Sequence, residues 1–238
     1  MNFLTAIWEN IVMANYVCPP EILIPFLPHG CTLDFYEGKA YVSLVGFMFR
    51  KTRIFGVPIP VVGIFEEVNL RFYVVRQEGG VIKRGVVFIN ETVPDKLVAF
   101  VANLLYKEHY IAIPTKHAFT QEEFSCNLQY QWQKNKVWNK IQVKAQLEKQ
   151  DILKGSIEEF IFEHYYGYTK INNRTTEEYE VIHPRWQVKV VDSFDIKCRF
   201  DEMYGQEFAF LNNQSPATVL LSEGSSVSVK WKRKRLSV

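Results

Sequence analysis

The sequence predicts a mainly β fold, in which antiparallel strands form a barrel or a sandwich. Two observations support this: many short segments alternate between apolar and polar residues, and few long segments repeat at helical spacing. With 238 residues, 47% hydrophobic and 15% aromatic, the chain is long and apolar enough to bury a large core. Neither an internal repeat nor a linker-like stretch divides it, so we expect a single domain over residues 1–238.

The strand signals differ from one segment to another. Residues 40–50 are apolar on both faces, which is typical of a strand covered on both sides. Residues 124–133 and 138–147 alternate cleanly around a polar turn at 134–136, so they predict a hairpin with one wet face. Further strands are predicted near residues 31–37, 81–90, 176–183, 186–192 and 226–232.

One main helix is predicted near residues 94–106. Pro94 suits a first turn, Asp95 favours the positive end of the helix dipole, and apolar residues follow at helical spacing. We expect this helix to lie along the sheet and to bury its apolar stripe, which comprises Leu97, Val98, Phe100, Val101, Leu104 and Leu105. Short peripheral helices are expected at 20–27 and 200–204, while 156–163 is ambiguous between a helix and a strand, because its apolar spacing fits neither cleanly.

Positive charge is concentrated at the C-terminus. The net charge is +2, and removing the five charges of this cluster leaves −3 for the rest of the chain. The cluster comprises Lys230, Lys232, Arg233, Lys234 and Arg235. No nucleic-acid-binding motif accompanies it, so a solvated basic tail over 230–238 is favoured over a functional patch and no nucleic-acid partner is expected.

Targeting and cofactor signals give negative predictions. The first ten residues do not resemble a secretory signal, and no apolar run approaches the roughly 18 residues of a membrane-spanning helix. The four cysteines are widely spaced, which predicts reduced, mostly buried thiols in a cytoplasmic protein. The five histidines are scattered and no nucleotide-binding loop is present, so we expect no metal and no cofactor.

The segment 65–73, F-E-E-V-N-L-R-F-Y, is the likeliest site. In a strand, Glu67, Asn69, Arg71 and Tyr73 point to one side, so one face is polar while both flanks are apolar. The pattern alone leaves two alternatives, a strand that lines a small wet pocket and an ordinary half-exposed strand.

This segment also carries a family resemblance. It resembles the hallmark F-x-E-x-N-x-R-x-Y-V of the YqjF-like family, a domain of unknown function. Other landmarks follow in the expected order: Trp8, Asn15-Tyr16, Leu27-Pro28-x-Gly30, Asp34 with Gly38, Gly85-x-x-Phe88, Tyr106, Glu163-x-Tyr165 and His183-Pro184-x-Trp186. The ordered set spans nearly the whole chain, so the chain is identified as a member of this family.

The resemblance implies a fold and raises a question about chemistry. The family is similar in fold to acetoacetate decarboxylase, a closed, cone-shaped antiparallel β-barrel with an internal cavity, and Glu67 matches its cavity-facing glutamate. That enzyme forms a Schiff base through a lysine pair in a G-F-P-K-K motif. The corresponding residues 104–109 read L-L-Y-K-E-H, so only Lys107 lies near the right place. A surface lysine at the helix end is the favoured interpretation of Lys107.

Three hypotheses remain open. In the first, the barrel binds a small anionic or carbonyl-bearing molecule, anchored by Arg71 and Asn69 and oriented by Tyr73 and Glu67. In the second, the protein is an enzyme with Glu67 as general acid/base, or with Lys107 as nucleophile. In the third, the polar face is a buried network that fixes the strand register.

Two neighbouring questions stay open as well. Arg71 lies about 13 Å along the strand from Glu67, so it either pairs with that carboxylate through extended side chains or is free for a ligand. His183 and Trp186 are interpreted as a bulky plug at one end of the barrel rather than as a catalytic site. A homo-oligomer is possible, but no pattern marks an interface.

Overall fold

Strands dominate the computed structural model, which describes residues 2–58, 63–230 and 234–237. The strands are β1 (Asn2–Cys18), β2 (Thr32–Leu33), β3 (Ala40–Ile54), β4 (Val57–Pro58), β5 (Ile64–Glu78), β6 (Val81–Val93), β7 (Tyr110–Ala112), β8 (Thr115–Gln121), β9 (Ser125–Lys134), β10 (Val137–Asp151), β11 (Tyr166–Asn172), β12 (Thr175–Ile182), β13 (Gln187–Lys197), β14 (Thr218–Lys230) and β15 (Lys234–Ser237). The helices are α1 (Pro20–Leu23), α2 (Lys96–Tyr106), α3 (Ile157–Phe162) and α4 (Phe200–Tyr204), with 3-10 turns at Ile24–Phe26 and Gln206–Asn213. The protein is therefore mainly β with few helices.

The strands of the described residues form one sheet. Its main path runs β15-β12-β11-β6-β5-β3-β1-β14-β13-β10-β9-β8, and β2, β4 and β7 pair with β5, β3 and β6. Pairing is antiparallel except where β6 meets β11 and β7. Strand β14 also pairs with β12, so seven strands of the path form a closed circuit of pairings.

The hairpin β11–β12 is joined to the other five strands of this circuit by two short contacts. β11 meets β6 at two residue pairs, and β12 meets β14 at two more. By comparison, β1 and β14 are matched at twelve positions. The first half of the same β12 edge is occupied by β15, which pairs at four positions.

Strand β5 separates two hydrophobic cores. Val68, Leu70 and Phe72 face a core that includes Tyr130 and Trp132 of β9. On the other face, Phe65 and Tyr73 belong to a second core with residues of β1, β3, α3 and β13. Both faces of β5 are thus covered, and the alternative of a half-exposed strand is wrong.

Most strand predictions are confirmed. The hairpin pairs β9 with β10, and its turn residues Asn135 and Lys136 have φ angles of 51° and 65°. The segment 31–37 contains only the two-residue strand β2, while the ambiguous 156–163 contains α3, capped by the Ser156 hydroxyl. Strand β1 was not predicted.

The main helix is confirmed, but its predicted burial is wrong for half of the apolar stripe; Val98 packs against the second core, Val101 is half-buried, and the Leu105 side chain lies outside the described residues. The Asp95 carboxylate caps α2 by accepting hydrogen bonds from the backbone N–H groups of Leu97 and Val98 at 2.7 and 3.1 Å. Yet the side chains of Leu97, Phe100 and Leu104 are 61%, 64% and 66% exposed. These three side chains can stay exposed because residues outside the apolar stripe hold the helix against the sheet. Its Asn103 exchanges two hydrogen bonds, of 2.9 and 2.8 Å, with the backbone of Tyr110 in β7.

Part of the basic C-terminal segment forms the strand β15, whose basic side chains are largely exposed. β15 pairs with β12, and its Lys234 and Arg235 form salt bridges with Glu78 and Glu177. Lys232 and Arg233 lie outside the described residues. The basic residues of β15 are therefore neutralised within the protein.

The thiol prediction is confirmed, since all four cysteines are free and three of them are buried. The cytoplasmic location inferred from them stays a prediction. Among the described residues, no helix combines the length and the hydropathy needed to span a bilayer.

Candidate functional site

A cavity of about 90 Å³ lies against the polar face of β5. Its apolar lining includes Trp8, Phe47, Phe49, Phe162 and Trp186, and its polar lining includes Glu67, Asn69, Arg71, Glu91, Glu108, Tyr110, His164 and His183. This volume holds several water molecules or a ligand of a few heavy atoms. An apolar cavity with a few convergent polar groups is the usual form of a small-molecule site.

Sheet register brings three polar side chains together at one end of the cavity. Asn69 of β5 is opposite Glu91 of β6, and Glu91 is opposite Tyr110 of β7. Residues at the same level of adjacent strands share a face, so these side chains are neighbours. Glu67 joins them by accepting hydrogen bonds from the Asn69 amide at 2.9 Å and the Tyr110 hydroxyl at 3.3 Å.

Glu108 adds a third carboxyl group from the segment after α2. Its Oε1 accepts hydrogen bonds from the Tyr179 hydroxyl at 2.7 Å and the Thr169 hydroxyl at 3.1 Å. Glu67, Glu91 and Glu108 are only 3%, 1% and 8% exposed. In the described part of the chain, no group of three or more His, Cys, Asp or Glu residues is arranged to hold a metal ion.

The buried carboxyl groups have raised pKa values. Burial, opposed by the Asn69 hydrogen bond and reinforced by the charge of Glu108, raises the pKa of Glu67 to about 8. Burial and the charges of Glu108 and Glu67 raise the pKa of Glu91 well above its ordinary value. Glu67 therefore holds its proton near neutral pH and can donate it in a hydrogen bond, and burial favours the protonated form of Glu91 as well.

Lys107 does not reach the cavity. It ends α2 in the left-handed conformation with φ 53°, and this reversal turns the next residue, Glu108, inward. The Lys107 side chain is 47% exposed and its Nζ lies 3.8 Å from Glu177. No lysine is among the cavity-lining residues in the described ranges. The favoured interpretation of Lys107 as a surface residue agrees with this placement.

The Arg71 guanidinium stands apart from the carboxyl cluster. No carboxylate of the described residues forms a salt bridge with it, so the alternative of a direct Glu67 pair is wrong. Its Nη2 contacts the sulfur of Met13 at 3.6 Å, and its Cζ lies 5.8 Å from the centroid of the Tyr73 ring. The Nε is buried without a hydrogen-bond partner among the described residues.

Tyr73 is not among the residues that line the cavity, and its hydroxyl is held by hydrogen bonds elsewhere. Its hydroxyl shares a 2.5 Å hydrogen bond with Ser43, whose hydroxyl donates to the Asn15 side chain at 2.5 Å. The residue is 1% exposed and does not line the cavity. The expectation that Tyr73 orients a ligand directly therefore gives way to a packing role, because its hydroxyl is engaged elsewhere.

Two histidines line the cavity without having been singled out as its residues. His183 stacks on Trp186 with ring centroids 4.0 Å apart, and Trp186 donates from Nε1 to the Ser225 hydroxyl at 2.8 Å. His164 bonds through Nε2 to Asp34 at 3.1 Å. The expected plug at His183 and Trp186 thus forms part of the cavity wall.

Five lining residues have a buried polar atom without a hydrogen-bond partner among the described residues. They are Trp8 (Nε1), Asn69 (Oδ1), Arg71 (Nε), Glu91 (Oε2) and His164 (Nδ1). Leaving such an atom unpaired costs about 1–3 kcal/mol, so buried polar groups normally have a partner. Water or a polar ligand in the cavity would give these atoms hydrogen-bond partners.

Comparison with known proteins agrees with this architecture. Residues 5–226 match DUF2071, a family described as an uncharacterized conserved protein. The chain belongs to this family. One relative, the uncharacterized protein YqjF of Bacillus subtilis, is 35% identical over 68 residues, a stretch that spans 28% of each protein.

Solved structures share the fold of this DUF2071 member at low identity. An acetoacetate decarboxylase-like enzyme from Sphingomonas wittichii has a TM-score of 0.68 at 10% identity, covering 100% of this chain and 94% of that one. The acetoacetate decarboxylase of Legionella pneumophila has a TM-score of 0.64 at 11% identity, covering 99% and 87%. The enduracididine biosynthesis enzyme MppR, complexed with pyruvate, has a TM-score of 0.65 at 12% identity, covering 100% and 91%.

Proposed function

We propose that this protein binds a small carboxylate carrying a carbonyl group, with the ligand carboxylate on Arg71 and the carbonyl oxygen facing Glu67. The observation that carries the proposal is the Arg71 guanidinium, which lies on the wall of the cavity and has no carboxylate partner among the described residues. A planar guanidinium suits a carboxylate because it donates two parallel hydrogen bonds.

The carboxyl groups on the cavity wall also suit a ligand in this orientation. Burial favours the protonated forms of Glu67 and Glu91, so this part of the cavity offers a donor to a carbonyl oxygen instead of repelling the ligand. We also propose that the seven-strand circuit closes as a barrel around the ligand, which would keep water from competing for these hydrogen bonds. Pyruvate, present in the MppR complex, belongs to the proposed ligand class.

A second candidate is catalysis by Glu67. A carboxyl group with a pKa of about 8 is suited to give and take protons near neutral pH, which is what general acid/base chemistry requires. The Schiff-base chemistry of the decarboxylase does not fit, because the described cavity lining contains no lysine. A purely structural network is less favoured, since the Glu67–Arg71 pair on which it depends is not formed.

Ligand-induced stabilisation tests the proposal. Thermal unfolding is followed with pyruvate, acetoacetate and levulinate, which carry the carbonyl at increasing distance from the carboxylate, and with acetone, which has no carboxylate. A ligand at about one hundred times its Kd stabilises the folded state by roughly 2.7 kcal/mol. We expect at least one oxo carboxylate to stabilise the protein and acetone to have no effect.

Paired variants locate the binding. Arg71→Ala should abolish the stabilisation, whereas Arg174→Ala, the same change at an exposed turn residue, should retain it. Equal stabilisation of Arg71→Ala and the unchanged protein would contradict the proposal. For the catalytic candidate, turnover of a binding oxo carboxylate must disappear in Glu67→Gln while its binding persists.

A further inference from the structure

We propose that His164 is a second ligand-binding residue of this cavity and that it selects carboxylates with a hydroxyl group on the adjacent carbon. The inference rests on the proposed function, because it takes the ligand carboxylate to lie on Arg71. It narrows that function to carboxylates that carry a 2-hydroxyl, which donates to Nδ1 of His164, and whose carbonyl lies beyond the 2-carbon; a 2-oxo acid such as pyruvate is then held through Arg71 without a bond to His164.

The ring of Tyr73 relates the position of His164 to that of Arg71. The His164 imidazole packs against the ring of Tyr73 with centroids 4.7 Å apart, and the Arg71 guanidinium lies 5.8 Å from the same ring. His164 lies between α3 and β11, is only 7% exposed and lines the cavity. Both side chains therefore lie beside Tyr73 and line one cavity, and the positive charge of Arg71 acts on the His164 ring.

The partners of His164 fix which nitrogen carries its proton. Asp34 Oδ2 accepts hydrogen bonds from Arg84 Nε at 2.7 Å and from His164 Nε2 at 3.1 Å. Burial works against ionisation of Asp34, but these two hydrogen bonds prevail and hold its pKa below the ordinary value. An ionised carboxylate only accepts hydrogen bonds, so Nε2 must be the protonated nitrogen.

The other nitrogen is consequently an acceptor. Burial lowers the pKa of His164 to about 4, so the ring is neutral near pH 7 and carries a single proton, on Nε2. Nδ1 then holds a lone pair, and it has no hydrogen-bond partner among the described residues. Among the described residues, the lining thus combines a guanidinium without a carboxylate partner, that of Arg71, with a neutral nitrogen acceptor without a donor, Nδ1 of His164.

Only certain ligands satisfy both groups. A 2-hydroxyl donates to Nδ1 while the carboxylate stays on Arg71. A 2-oxo group instead presents its oxygen lone pairs to the nitrogen lone pair, and an unsubstituted 2-carbon leaves the nitrogen unpaired. A 2-ammonium group donates but places a second positive charge beside the guanidinium, which is unfavourable in a water-poor cavity. The carbonyl that meets Glu67 then lies farther along the ligand.

Calorimetric titration tests this selectivity with lactate, pyruvate, propionate and alanine, which differ at the 2-position alone. A hydrogen bond contributes about 0.5–1.5 kcal/mol, so we expect lactate to bind roughly 2- to 10-fold more tightly than propionate. Pyruvate should bind no better than propionate, and alanine least tightly. In His164→Phe, lactate should fall to the affinity of propionate, and propionate binding should be unchanged.

The outcomes separate this inference from the proposed function. If lactate has no advantage over propionate, or if His164→Phe weakens both ligands equally, the role of His164 is refuted while binding at Arg71 stands. If no carboxylate binds the unchanged protein, both proposals fail.

A measurement on the unchanged protein covers the case in which His164→Phe does not fold. The ¹⁵N resonance of His164 Nδ1 should lie in the range of a non-protonated imidazole nitrogen. It should shift on addition of lactate but not of propionate. A protonated Nδ1, or identical responses to both ligands, would overturn the inference.

Discussion

Glu67→Gln replaces a buried carboxyl group with an amide of nearly the same shape, and we expect it to change how stability depends on pH. The pKa of Glu67 is about 8 in the folded protein, against an ordinary value of 4.5 for the unfolded chain. Between these pH values the folded state holds a proton that the unfolded state has released. The stability contributed by this proton is fully present below about pH 4.5 and is lost as the pH rises through about 8.

The magnitude follows from the same two values. A pKa of about 8 in place of 4.5 corresponds to roughly 5 kcal/mol, at about 1.4 kcal/mol for each tenfold change in proton affinity. Glutamine does not titrate, so the variant lacks this loss. Removing the Glu67 charge also lowers the repulsion that Glu91 experiences at high pH, and this second effect has the same sign. As the pH rises, the free energy of unfolding of the unchanged protein should therefore fall by several kcal/mol more than that of Glu67→Gln.

Urea unfolding at intervals between about pH 5 and about pH 8 measures this difference. Glu148→Gln is the matched control, since Glu148 is an exposed residue of β10 and the substitution is chemically identical. Its unfolding free energy should run parallel to that of the unchanged protein. If the Glu67→Gln curve is parallel as well, Glu67 does not hold its proton through burial and the electrostatic argument for the site is refuted.

Three further substitutions test individual placements. Lys107→Ala should leave carboxylate binding unchanged, and borohydride treatment with pyruvate should leave Lys107 unmodified by mass spectrometry; a reduced adduct would contradict its placement outside the cavity. Phe100→Ser should change the free energy of unfolding in urea by no more than about 0.5 kcal/mol, because the side chain is 64% exposed; a larger loss would show that the helix stripe is buried after all. Tyr73→Phe should cost about 1 kcal/mol in thermal unfolding through its lost bond to Ser43, with ligand affinity unaltered; weaker binding would return Tyr73 to the site.

Features that depend on residues close together in the chain could be predicted from the sequence. The alternation over 65–73 predicted which side chains share a face, and Asp95 predicted the start of α2. Strand β1 was not predicted because the alternation of inward and outward side chains along it is interrupted. Asn10 adopts φ 55° and the pairing with β3 shifts between Glu9 and Val12, so the inward positions before and after this point do not follow one period.

The rest of the site depends on contacts between distant segments. Glu91 and Tyr110 meet Asn69 only through the register of three strands, and no pattern within β6 or β7 reveals it. Glu108 and Lys107 are adjacent in sequence, yet the left-handed turn at Lys107 sends one into the cavity and the other outward. The sequence named a cluster around β5 but could not tell which residues of other segments complete it.

The hairpin β11–β12 has a consequence for how a ligand enters and leaves. It is attached to β6 and to β14 by two residue pairs each, and its Tyr166, Gly167, Tyr179 and Val181 line the cavity. Swinging it outward breaks fewer backbone hydrogen bonds than separating any long strand pair, so amide hydrogen exchange should be fastest at these two joints. Such an opening would admit water to the cavity and to Glu67, whose proton affinity is raised by burial. Ligand release and proton loss would then require the same movement of the hairpin, and the rate of ligand dissociation would increase with pH.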